Sequence, residues 1–296
     1  MFRTSDDPHE MMGAMSTSTD SDTAESGHDW RDAGEAWGHA ANDWSCLWEP
    51  YALEVIAAMF GGVGVGPGVE LLDIACGSGL AVRHADARGA AVSGIDAAAD
   101  LVEIARSRTP DADVRLGSMF ELPWHDGAFD AVVSVHGILG GCEAALDEAF
   151  RVLRPGGRIG ISFWGGGPPI DLRDCFKAFA RHAPETHFGS MKRLNDIGAP
   201  GRATEMLTAS GFEIVERGQR ISTIEWPDAD LAWRALASIG PAVPALRHGD
   251  VDAIRRDVLA AAESCRDARG VYRFRNDHRF VIARRPLPHP PADARG

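Results

Sequence analysis

Val69–Gly79, VELLDIACGSG, is the stretch whose reading decides the fold. Its first half is a short, nearly continuous apolar run, the pattern of a strand covered on both faces. The run reaches an acid, Asp73, and passes into a turn of small residues, Ala75, Cys76, Gly77, Ser78 and Gly79. The same kind of run recurs downstream. The sequence predicts strands at 69–74, 91–95, 113–116, 129–135 and 157–163, with helices near 79–87, 98–108 and 143–153. Strands alternating with helices imply right-handed crossovers and a parallel, doubly wound α/β sheet. In such a sheet a ligand sits at the C-terminal strand ends, where the glycine turn lies.

Two common ligands of glycine turns fit poorly. The dinucleotide fingerprint G-x-G-x-x-G fails, because Val82 stands where its third glycine would be, counting from Gly77. The phosphate cradle G-x-x-x-x-G-K-[ST] fails because no lysine follows. Asp73 would also repel a pyrophosphate, whereas it would favour a ligand carrying a cationic amino group. A second acid, Asp96, closes the next strand about twenty residues on, the offset at which a carboxylate accepts from ribose hydroxyls. A ribose and a positive charge without polyphosphate describe S-adenosylmethionine.

Four stretches now carry a family resemblance. They are LLDIACGSG, the GID of Gly94–Asp96, LGSMFELPWHDGAFDAVVS, and ALDEAFRVLRPGGRIGISFW. Taken in this order, residues 69–164 resemble class I S-adenosylmethionine-dependent methyltransferases, nearest the small-molecule type of ubiquinone and menaquinone biosynthesis. The resemblance implies a Rossmann-like sheet of seven strands with the last antiparallel, a helical N-terminal lid and a helical cap insertion. It implies in-line methyl transfer to a small-molecule acceptor. Its cofactor-binding residues would be Asp73, Ala75, Cys76, Gly77, Gly79, Asp96, Ala97, Ser118, Met119, Phe120, Ser134 and the lid's Trp44. Ala75 stands where the family usually has glycine, and its methyl fits if φ is negative. Ser118 stands where the family usually has an aspartate that accepts from the adenine amino group.

Outside that core, residues 1–28 read as a disordered polar tail, with Met15 an alternative start, and 29–68 as the lid. There Trp30, Trp37, Trp44 and Trp48 recur at roughly helical spacing, and Pro50 opens an apolar helix. Trp44 could face a sulfonium through cation–π attraction, or simply pack the helix, as could Trp37. Residues 165–285 should complete the sheet and supply the acceptor cap. Within them, helices are expected after the GGGPP loop, before Gly211, over 228–240 with Asp228 as N-cap, and over 249–264. A strand should follow Gly211, and a last strand should be VYRFRNDHRFVIARR, whose alternation is imperfect. Residues 286–296 read as a loose, proline-rich tail.

His136, at the end of the fourth strand, is the candidate catalytic base, with a pocket-lining role as the alternative. His125, His182, His187 and His278 have no local feature aiming them at a shared site. Thirty Lys+Arg against 43 Asp+Glu give a net charge of −13, which disfavours nucleic acid and anionic membrane surfaces as partners. Five dispersed cysteines without a C-x-x-C pair argue against a disulfide framework or a metal site and fit a cytoplasmic protein. No heptad or long apolar patch sets the oligomeric state. Two other readings share these features: a non-catalytic binder of the same nucleoside, and, against the glycine spacing, an NAD(P)-dependent oxidoreductase.

Overall fold

The structure is a computed structural model that describes residues 30–167, 170–184 and 195–288. The expected tail at 1–28 lies outside these residues, as does the one at 286–296 except for 286–288. Strands β1 (Glu70–Ile74), β2 (Ala91–Asp96), β3 (Asp113–Leu116), β4 (Phe129–Val135), β5 (Leu153–Trp164), β6 (Glu213–Trp226) and β7 (Tyr272–Arg284) form one sheet in the order β3-β2-β1-β4-β5-β7-β6. The first five are parallel, and β7 runs antiparallel to both β5 and β6. This is the Rossmann-like architecture expected from the alternation, with the winding direction reversing between β1 and β4.

The crossover helices are α4 (Leu80–Asp86), α5 (Ala99–Arg108) and α6 (Glu143–Val152). Each turns an apolar stripe to the sheet: Leu80, Ala81, Val82 and Ala85 of α4, and Ala145, Leu146, Ala149 and Val152 of α6, are buried. The strands they cover, such as Leu71, Leu72 and Ile74, are buried on both faces, which explains the unbroken apolar runs. The fifth strand, expected at 157–163, starts earlier, and Pro155–Gly157 form a bulge inside the longer β5. Phe129 pairs with Leu153, but Ala131 pairs with Arg158, so the intervening residues loop out with Gly156 at φ 85°.

Ahead of the sheet lie α1 (Trp30–Gly38), α2 (Ala41–Leu47), a short 3-10 turn (Glu49–Ala52) and α3 (Leu53–Val63). Behind β5 come α7 (Arg173–His182), α8 (Arg202–Ala209), α9 (Ala229–Ala237), α10 (Val243–His248) and α11 (Val251–Ala262). Asp228 caps α9 as expected, accepting from Leu231 N–H at 2.8 Å. The segment 240–248, for which no helix was expected, holds a 3-10 turn and α10, each with proline in its first turn. Helices α7, α9 and α11 bury Cys175, Phe179, Leu236, Ile254 and Val258 in a second core with Trp48, Trp226 and Phe274. No helix among the described residues is long and apolar enough to cross a membrane.

Candidate functional site

The C-terminal ends of β1, β2 and β4 meet at the glycine turn. Asp73 pairs in register with Gly94 on one side and Val133 on the other, and is only 1% exposed. Its Oδ1 has no hydrogen-bond partner among the described residues. Burial, and then the charges of Asp96 and Glu49, push its carboxyl well above the usual range. An unpartnered buried carboxylate oxygen is costly unless a donor reaches it.

Asp96 ends β2, and both its oxygens are engaged. Oδ2 accepts from Gly77 N–H and Oδ1 from Ala98 N–H, each at 2.8 Å. These bonds tie the second strand to the glycine turn, and each oxygen keeps a further lone pair for a ligand hydroxyl. Burial raises the Asp96 carboxyl as well, partly offset by those N–H donors.

The turn enters the left-handed region at every second residue: φ is 59° at Ala75, 56° at Gly77 and 81° at Gly79. The condition set for the Ala75 methyl, a negative φ, is therefore not met. Cys76 N–H donates to Ile95 O and Gly79 N–H to Cys76 O, both at 3.0 Å, and the residue between Ile74 and Cys76 bends left-handed to allow it. Cys76 itself is buried against Gly94, where a Cβ would lie 3.0 Å from its Sγ. Burial pushes its thiol up, so it acts as a small packing residue in the turn.

The N-terminal helices close over this turn. A Cβ on Gly77 would meet the Trp44 ring at 2.9 Å, and one on Gly34 would overlap the carbonyl oxygen of Ala97 at 2.0 Å. Trp44 also stacks edge-on against Trp37, 6.1 Å between ring centres. Sequence reasoning missed the residue that fastens this cover. Glu49 is buried and pairs with Arg108 of α5 at 2.7 Å, and the same guanidinium donates to the backbone carbonyl and hydroxyl of Ser78. The clue was the acid placed before Pro50 within a tryptophan-rich apolar run. On its other side this segment reaches α9: Trp48 Nε1 donates to Ala235 O, and Arg234 pairs with Asp43.

Beyond β3, the Ser118 hydroxyl accepts from Phe120 N–H at 3.1 Å, and Gly117 N–H binds Asp96 O at 2.9 Å. Phe120 is 42% exposed and Met119 packs on the core. Ser134, by contrast, is fully buried, and its hydroxyl accepts from Ile138 N–H at 3.0 Å, closing the loop after β4. That loop abuts the glycine turn closely: a Cβ on Gly137 would lie 2.4 Å from the Ala75 methyl.

His136 sits between them with φ 57°, an uncommon conformation for a side-chain-bearing residue. Its N–H donates to Ser162 O and Oγ of β5. The structure also joins it to His278, whose sequence context had shown no link. His136 Nε2 lies 2.8 Å from His278 Nδ1, and His278 Nε2 lies 2.6 Å from Ser222 Oγ. The Trp164 ring lies against both imidazoles, at 4.7 and 4.5 Å. Burial, and secondarily His278, hold His136 well below its ordinary pKa, and burial pushes His278 down to about 4. The clue was the imperfect alternation of the last strand, where Asn276, Asp277 and His278 are consecutive buried polar residues. Of the other histidines, His182 pairs with Asp257 at the surface, His125 contacts its own loop, and His187 lies outside the described residues.

Residues 72–161, which hold the glycine turn, Asp96 and His136, match the family model of a methyltransferase domain. A malonyl-[acyl-carrier protein] O-methyltransferase of Serratia marcescens is 31% identical over 59% of this chain and 64% of its own length. Nocamycin O-methyltransferase of Saccharothrix syringae is 30% identical over 55% of this chain and 66% of its own length. The chain thus spans about half to two thirds of the curated relatives it matches. Among solved structures, the [4+2]-cyclase SpnF is 21% identical with a TM-score of 0.53, over 88% of this chain and 94% of that one, and shares the fold.

Proposed function

We propose that this chain, with a methyltransferase domain at its centre, transfers the methyl group of S-adenosylmethionine to a small-molecule acceptor. One observation carries the reading. Asp73 presents a buried, unpartnered carboxylate oxygen at the glycine turn, in a field made more negative by Asp96 and Glu49. An α-ammonium group is the complement of that field, and no diphosphate is.

In this reading Asp73 holds the methionine end, Asp96 the ribose, and Ser118, Met119 and Phe120 the adenine, with Gly77, Gly79, Ala75, Cys76 and Ala97 forming the floor. Trp44 offers its ring to the sulfonium. The bound donor supplies a methyl carbon already activated as a sulfonium, so the protein's task is alignment and exclusion of water. Alignment of this kind contributes about 7–11 kcal/mol. The acceptor would lie under α7 and α9–α11, and His136 would take its proton. Two relatives are named for O-methylation, which favours an oxygen acceptor.

The SpnF likeness makes a test of catalysis necessary, because the fold also belongs to a cyclase. Calorimetry with S-adenosylhomocysteine and with NAD(P) comes first; binding of the first alone is expected. Transfer of a tritiated methyl group to a phenol and enol panel comes second. Binding without transfer to any acceptor would favour the non-catalytic reading, and binding of NAD(P) alone would remove the proposal.

A further inference from the structure

The hydrogen-bonded chain His136–His278–Ser222 has no role in holding the donor and crosses three strands of the sheet. His136 follows directly on β4, His278 lies in β7 opposite Trp164 of β5, and Ser222 lies in β6, the edge strand. Two contacts of 2.8 and 2.6 Å make the chain continuous. Its inner end, His136 Nδ1, is buried and has no partner among the described residues. The backbone that carries it adjoins the glycine turn, since Gly137, the residue after His136, has no room for a Cβ against Ala75. A left-handed backbone holds the imidazole in place, bound twice to Ser162.

We infer that His136, His278 and Ser222 form a proton relay that carries the proton of a weakly acidic hydroxyl or enol acceptor away from the methyl-transfer site to the sheet edge. This rests on the function proposed above. The acceptor oxygen gives its proton to His136 Nδ1 as it gains the methyl group. His136 Nε2–H passes its proton to His278 Nδ1, His278 Nε2–H passes its own to Ser222 Oγ, and the Ser222 hydroxyl, on a residue of the edge strand that keeps 7% of its surface exposed, releases a proton to water. One proton enters, one leaves, and each ring has exchanged one tautomer for the other. The rings return to the first tautomer by exchange with water when product departs.

The relay answers a physical difficulty. A single imidazole in this place would have to keep the proton as a buried cation, and burial opposes that charge in both rings. Shifting each proton by one bond leaves no net charge beside the sulfonium site. The acidic and basic neighbours along the strands are Asp277 and Arg279 on β7 and Arg220 on β6; Asp277 Oδ2 pairs with Arg279 at 2.8 Å, and its Oδ1 is buried without a partner among the described residues.

The test has two readouts on the full chain. In ¹⁵N-histidine NMR of the protein with S-adenosylhomocysteine, His136 should be neutral with the proton on Nε2 and a free Nδ1, and His278 should also carry its proton on Nε2. The opposite tautomer, with a proton on His136 Nδ1, would overturn the relay whether or not methyl transfer is ever observed. In kinetics with the best acceptor of the phenol and enol panel, His136→Ala should lower kcat about a hundredfold or more. Ser222→Ala should lower kcat at least severalfold, with unchanged S-adenosylhomocysteine affinity, and Ser222→Thr should restore it. Unchanged kcat in both Ser222→Ala and His278→Gln would overturn the relay even if His136 proves essential. Absence of turnover with every acceptor counts against the proposed function, and the NMR result then decides the relay.

Discussion

Replacing Asp73 by Asn separates two properties that the site combines. The substitution keeps the shape of a side chain that is 1% exposed and removes its charge. A hydrogen bond to a charged group contributes about 1.5–3 kcal/mol. At about 1.4 kcal/mol per factor of ten, Asp73→Asn should weaken S-adenosylhomocysteine about 10- to 150-fold. The free protein should respond in the opposite sense. Asp73 has a raised pKa in the folded state, so the unfolded chain ionises first as pH rises. Its cost to stability is therefore absent in acid, begins above about pH 4, and is complete once pH passes the folded value. The variant carries no such cost, so its melting temperature should gain on that of the parent as pH increases. Calorimetry at pH 7.5 and thermal melts from pH 5 to 9 measure both effects. A dissociation constant within twofold of the parent would refute the electrostatic account of the turn, as would a melting difference that does not change with pH.

Three further outcomes are expected. Ala75→Gly removes a left-handed alanine, which costs about 1–2 kcal/mol, against the greater chain entropy of glycine, so urea denaturation should show a gain of about 0.5–1 kcal/mol; a loss would mean that the methyl group packs to advantage. Glu49→Gln breaks the pair with Arg108, whose side chain is 23% exposed and keeps its bonds to Ser78, so the loss should be about 1–2 kcal/mol. No loss in the same assay would mean that the N-terminal helices are held by packing alone. His136 and His278 are held below their unfolded pKa, so their contribution is complete above about pH 6.5 and is lost as pH falls, for His278 through about 4; a stability difference between the parent and His278→Gln that stays flat across that window would contradict the burial of the His278 ring.

The legible parts of this chain were those where one local rule decides the structure. Apolar runs such as ELLDI identified strands, and the failure of two glycine motifs together with Asp73 and Asp96 indicated the class of ligand. Asp228 marked the start of α9 because a cap needs only its own next turn. The illegible parts depend on contacts between distant segments. Glu49 and Arg108 meet only after α5 packs beneath the lid, and neither shows a periodic signal. His278 lies 142 residues from His136 and becomes its neighbour only through the antiparallel insertion of β7 beside β5. The backbone at Ala75 deceived for a related reason: the hydrogen bonds of Cys76 and Gly79 dictate its bend, whatever side chain it carries.

The first two helices and the turn after them bring a last consequence. This one piece of chain rests on the glycine turn through Trp44 and Glu49, and on α9 through Trp48 and Asp43. A guest that displaces the Trp44 ring from Gly77 acts on the same short segment whose Trp48, four residues on, bonds to α9. Where occupancy of the glycine turn changes affinity on the α9 side through this segment, the change is the same factor in either direction.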